Sequence, residues 1–237
     1  MVFIQQNKKN NNIIYMKKII LSVLLVFLFY YIIVQPFYLD FSPTSGDEPT
    51  YEPKKWNHDQ NIKNSHNCYA YMLDDINQYG QEICDINGIN MCRSNIKPIP
   101  GHYTGNRQHS STCHSILRGM VMDNPDIYRT TFHERCKKGY YKGALVVDPF
   151  KTYHFFRQDN NGYWSQKNGH DDATNLDGDG YLITDPKYAK PTYEVSDKYK
   201  FCDYFCVPSN KYKKTNMGRL GAINRTNTNT RNYHYRN

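Results

Sequence analysis

An unbroken apolar run from Ile19 to Val34, interrupted only by Ser22, constrains the chain before any other feature does. It is apolar all round rather than along one stripe, which argues against the amphipathic helix of a soluble core. Extended through Gln35-Pro36 to Phe37, Tyr38 and Leu39, the stretch 19–39 nearly reaches the length that spans a bilayer as a helix. Lys17 and Lys18 flank it on one side, and Asp40, Asp47 and Glu48 on the other. The positive-inside rule then leaves residues 1–18, an Asn-rich and disordered start, in the cytosol and carries residues 40–237 across. A signal peptide starting at Met16 fits the same run. No small-x-small cleavage site follows it, so the reading is an uncleaved, single-pass signal-anchor in a host or virion membrane.

Charge divides the rest. Of 30 Lys and Arg, four precede Asp40 and seven follow Val207, with no acid in either end, which leaves 19 basic against 22 acidic residues between them, a net of −3. A folded domain of that balance is not a nucleic-acid binder; polyanion affinity would belong to the tail. Residues 40–55, with Pro43, Gly46, Pro49 and Pro53, read as a linker. Residues 56–207 read as one globular domain, and 208–237 as a basic, Asn/Thr-rich disordered tail carrying the one glycosylation sequon, at Asn224.

Within the domain, Asn64-Ser-His-Asn-Cys-Tyr-Ala-Tyr-Met-Leu-Asp-Asp-Ile76 sets Cys68, Tyr71, Met72 and Ile76 at helical spacing, with Asn64 and Ser65 upstream as caps. Cys68 then stands in a first turn, where the helix dipole favours its thiolate. His114–Asp123 predicts a second helix, capped by Ser110 or Ser111 and stopped by Pro125. Ala144–Val147, Thr152–Gln158 and Tyr163–Gln166 predict a β-meander, the last two strands joined by the turn Asp159-Asn-Asn-Gly162. Alternation puts His154, Phe156 and Gln158 on one face of the middle strand, and Tyr153, Phe155 and Arg157 on the other.

A helix bearing a cysteine, followed by a strand bearing a histidine, is the order a thiol hydrolase uses: thiolate, imidazole, and a polar group to orient the ring. Asn-Cys68-Tyr, Tyr-His154-Phe and the return strand with Trp164 resemble the papain-like superfamily, in its compact members related to bacterial cell-wall endopeptidases and amidases. The segments around Cys68 and His154–Ser165, with Thr174–Asp177, Ile183–Pro186 and Phe201–Phe205, resemble a family of bacteria and mimivirus-like giant DNA viruses that has no settled activity. The resemblance implies an α+β, papain-like fold behind one transmembrane helix. It makes Cys68 the nucleophile and His154 the base, acting on a peptide or amide bond. Gln166 is favoured as third member, with Ser165 or Asn168 as alternatives. Asn64 and Asn67 are the candidates for the oxyanion donor, though neither sits at the spacing of the family's glutamine.

The rival is a non-catalytic, disulfide-stabilised membrane or virion surface protein. With Cys68 free, Cys84, Cys92, Cys113, Cys136, Cys202 and Cys206 suffice for three disulfides, with Cys113–Cys136 and Cys202–Cys206 the natural pairs by proximity. No cofactor and no metal is assigned. A zinc set of His109, Cys113, His133 and Cys136 matches no common finger. Asn175-Leu-Asp-Gly-Asp-Gly180 reads as a solvated turn, because a calcium loop's twelfth position falls on Pro186.

Overall fold

The computed structural model describes residues 2–34, 41–76, 84–85, 98–101, 104–105, 110–149, 151–191 and 198–209. The chain divides into two units, 1–40 and 41–237. In the first, helix α1 (Val2–Phe29) continues as a π-helical turn over Tyr30–Val34. Its stretch Tyr15–Ile32 is exposed and is long and apolar enough to cross a membrane, a property it shares with signal sequences.

The second unit is an α+β domain on a six-stranded antiparallel sheet. Its strands are β1 (Tyr128–Thr130), β2 (Tyr140–Asp148), β3 (Thr152–Gln158), β4 (Trp164–Lys167), β5 (Ala173–Thr174) and β6 (Lys200–Pro208). Their order is β1-β6-β2-β3-β4-β5. The expected meander is β2-β3-β4. β6, from a stretch expected to be loop-rich, inserts beside β2 and makes that strand central. β2 is accordingly buried on both faces over nearly its whole length.

One face of the sheet carries helices. These are α2 (Pro53–Asn57), α3 (Gln60–Ser65), α4 (Cys68–Met72) and α5 (Cys113–Asp123). Pro53 starts α2 at a position where its missing N–H costs nothing. Asp59 caps α3 by accepting from the N–H groups of Asn61 and Ile62. The cap of α5 is Thr112 rather than Ser110 or Ser111, and the helix runs to Asp123 before Pro125 as expected. On this helix face Cys68, Tyr69, Met72, Ile116 and Met120 pack on Tyr141, Leu145, Phe155 and Phe205. Gly143 admits the packing: a Cβ there would lie 2.5 Å from the Phe205 ring and 3.1 Å from the Met72 sulfur.

The opposite face gathers Ala144, Val146, Phe156, Trp164 and Tyr204 with Phe132 and Ile183. It is overlaid by the segment expected to be a linker. Ser42 is buried; its hydroxyl donates to the Phe132 carbonyl at 2.9 Å, and its own carbonyl accepts from Gln158 Nε2 at 2.7 Å. Asp47 accepts from Gly139 N–H, and Pro49 O from Asn160 N–H. Residues 41–55 are therefore a strap folded onto the domain, which begins at Phe41 and not at Trp56. Proline and glycine marked them as irregular backbone, and irregular backbone here is bonded rather than free.

The disulfides correct the pairing expected from proximity. Cys113 joins Cys202, and Cys136 joins Cys206, with Cα separations of 5.5 and 5.7 Å. Cys202 and Cys206 share one strand and lie about 13 Å apart along it, too far to bridge. A bulge decides their partners. The β2–β6 register shifts between Leu145 and Val146, leaving Cys202 as the additional residue. The shift turns Cys202 to the helix face, toward α5, while Cys206 stays on the strap face. Cys84 is also disulfide-bonded, and Cys68 is the free cysteine among the described residues.

Candidate functional site

Cys68 opens α4, as expected, but the cap is its neighbour. Asn67 Oδ1 accepts from the N–H groups of Tyr69 and Ala70, each at 3.2 Å. Asn64 and Ser65, expected as caps, belong to the preceding helix. Chain reversal there is sharp: α4 has five residues, is capped by Leu73, and hands over to Asp74 in the left-handed region (φ 48°).

So short a helix contributes little dipole, and burial dominates the thiol. Burial pushes Cys68 up to about 11, against the smaller opposing effects of the Phe155 and Tyr69 N–H groups and the Lys167 charge. On the order of one such thiol in a few thousand is ionised at pH 7.4. The thiolate favoured by the helix-start argument is not the resting form.

His154 is fully buried in β3, as expected, and Gln166 accompanies it. β4 pairs Phe156 with Gln166 and Gln158 with Trp164, so Gln166 shares the face of His154 without any bulge. Burial lowers His154 to about 4, against the Gln166 amide, which favours the imidazolium. This pair lies on the strap face, where the ring contacts Phe156 at 5.0 Å between centroids. Cys68 packs on the other face, against Phe155 and Tyr153. The sheet stands between thiol and imidazole, and the structure does not bring Cys68 and His154 together. Alternation along β3 already separated His154 from Tyr153 and Phe155. The sequence did not say which face would receive the helix; the more apolar one does.

What Cys68 does face is a cleft of about 250 Å³, shared with Asn67, Tyr153, Asn168, Gly169, His170 and Asp171. Of the expected third members, Asn168 lines this cleft. Ser165 is on the same face of the sheet, hydrogen-bonded to Tyr71 Oη at 2.7 Å. His170 and Tyr153 were not singled out from the sequence; only the turn after β4 brings His170 here. The oxyanion candidates are both engaged: Asn64 Nδ2 donates to the Gln60 carbonyl at 2.6 Å, and Asn67 Nδ2 to the Pro98 carbonyl at 2.8 Å.

No protein-family profile matches the chain, and no solved structure does. The chain is 31% identical over 140 residues to insoluble matrix shell protein 1 of Ruditapes philippinarum, an alignment covering 59% of this chain and 79% of that protein. The chain belongs to the insoluble matrix shell protein 1 family.

In this family member the groups that hold α4 in place are buried charges. Arg157, fully buried, donates to Asp159 Oδ1 through Nε at 3.0 Å and lies 2.9 Å from it through Nη2. Its Nη1 reaches Asp74 at 3.1 Å and the Tyr71 carbonyl at 3.3 Å, and its guanidinium stacks 4.1 Å from the Tyr71 ring centre. Lys167 Nζ, equally buried, donates to the carbonyls of Lys63, His66 and Gly169 at 2.7–2.9 Å. These contacts clamp both ends of the α3–α4 turn that presents Cys68.

The remaining sequence candidates resolve simply. Cys113 and Cys136 are in disulfides and offer no zinc thiolate, and His109 lies outside the described residues. No group of three or more His, Cys, Asp or Glu is placed to hold a metal among the described residues. Asp177 Oδ1 accepts from the N–H groups of Asp179 and Tyr181, which makes 175–180 a self-bonded turn. Asn224 and the basic tail beyond residue 209 lie outside the described residues.

Proposed function

We propose that this chain is a non-catalytic, disulfide-braced structural domain, carried beyond a membrane by its N-terminal apolar helix and serving in a surface or extracellular matrix assembly. One observation carries the reading: the free thiol packs on one face of the sheet, and the buried histidine lies on the other. Disulfides among the described residues fit an oxidising compartment. The relative's name, an insoluble shell-matrix protein, is in keeping with a structural role. An uncleaved anchor is our reading of α1, since basic residues precede the apolar run and acidic ones follow it.

A second reading rests on the Cys68 cleft. There a papain-like thiol hydrolase would use His170, not His154, on a peptide or amide bond. Iodoacetamide labelling of the full chain in detergent at pH 7.5 separates the two. The structural reading expects Cys68 to label only on unfolding, at one rate in wild type, His154→Ala and His170→Ala. Fast labelling of the folded protein that His170→Ala slows would favour the hydrolase.

A further inference from the structure

The free side of β1 and the groove next to it have no part in the Cys68 region. β1 is the edge of the sheet and pairs only with β6, so one row of its backbone N–H and C=O groups has no partner among the described residues. Beside it, between β1 and α5, runs a groove of about 510 Å³ lined by Leu117, Met120, Val121, Ile127 and Phe205. Val121 is 42% exposed, an apolar side chain left in water on a helix that otherwise buries its apolar face. Arg118 and Arg129 border the groove. Arg129 is paired with Asp203; Arg118 is exposed and makes no ion pair among the described residues.

We infer that this groove docks an extended peptide strand of another protein, with apolar residues at alternate positions and a carboxylate that meets Arg118. An unpaired edge supplies main-chain hydrogen bonds to such a strand, and the pleat sends every second side chain down into the groove. A short edge gives few main-chain bonds, so selectivity rests on the pocket and on the charge. A second copy of this chain fits less well. Antiparallel pairing of two β1 edges about Arg129 would set the two arginines directly opposite each other, which is destabilising.

The test uses the full chain in detergent and two N-acetylated heptapeptides that alternate Val with Thr, one carrying a central Glu and the other a central Lys. Fluorescence anisotropy should show saturable binding of the Glu peptide, about tenfold or more tighter than the Lys peptide. Arg118→Glu should invert that preference. Val121→Glu, a change at an exposed position, should abolish binding of the Glu peptide while the Cys113–Cys202 and Cys136–Cys206 disulfides and the far-UV spectrum are retained. Absence of saturable binding would overturn the inference, as would a preference unchanged in Arg118→Glu. So would a concentration-dependent dimer that Val121→Glu dissolves, because the occupant would then be a second copy.

Discussion

Both faces of the central sheet bury a charged side chain, but they differ in how many other polar atoms they leave unbonded. On the helix face, Arg157 is enclosed by Asp159, Asp74 and Tyr71, and Lys167 by three carbonyls. On the strap face, Lys142 Nζ donates to Ser42 Oγ and to the Phe132 carbonyl, each at 2.6 Å, but four buried atoms, His154 Nε2, Gln158 Oε1, Trp164 Nε1 and Gln166 Oε1, make no hydrogen bond among the described residues. The first arrangement fixes position, since the Arg157 bonds to Tyr71 and Asp74 are lost if α4 shifts. The second tolerates change, since those atoms already lack protein partners. Enclosed charge on either face is therefore expected to be stiff to mutation, and the unbonded polar atoms of the strap face replaceable.

Breaking the enclosed charge gives the largest effect. Arg157→Met leaves Asp159 buried and uncompensated and should lower unfolding stability by about 3–5 kcal/mol in urea titrations. A loss near zero would erase the contrast between the faces. Next, Cys136→Ala/Cys206→Ala removes a link across 70 residues, and should cost about 2–4 kcal/mol by the same measurement under non-reducing conditions.

The strap face makes its own prediction through pH. His154 binds its proton only near pH 4 when folded but near 6.5 when unfolded. Between those values the unfolded chain holds more protons, so stability falls as pH falls from 6.5 to 4. His66 is also buried and lowered to about 4 by burial, and it adds in the same direction. Each contributes about 2–4 kcal/mol across that window. His154→Gln should remove its share, read as a flatter pH dependence of urea midpoints. Smallest of all, Gln158→Leu should cost about 1–2 kcal/mol, because its Oε1 is unpaired and only its Nε2 bonds to Ser42 O and Gly162 O are lost. A cost as large as that of Arg157→Met would show that the strap depends on it.

What was legible in the sequence follows the same division. α5 and β3 were readable from helical and alternating spacing, and the rest of the β2-β3-β4 meander from the apolar run Ala144–Val147 and the turn Asp159–Gly162. The face of His154 also followed from alternation; Gln166 beside it did not, because the register rests on Gln158 pairing with Trp164, one residue beyond the Tyr163 partner that the turn suggested. The bulge at Cys202 was not readable: one additional residue in β6 leaves no mark on composition, yet it redirects a disulfide to the other face. The strap over 41–55 was missed because Pro and Gly report irregular backbone without reporting whether it is bonded. The choice of face by α4 was missed for a related reason. A five-residue helix follows its anchors, and those anchors, Arg157 and Lys167, look like ordinary strand charges until their partners are seen.

The central claim is that the Cys68 thiol and the His154 imidazole are uncoupled across the sheet. Its most direct test is the pH titration of the Cys68 ¹³Cβ resonance in the full chain, wild type beside His154→Ala. Our account predicts one titration near 11 in both proteins. A wild-type titration below about 8, the free-thiol range, that moves up in His154→Ala would contradict it and restore the pair as a working site.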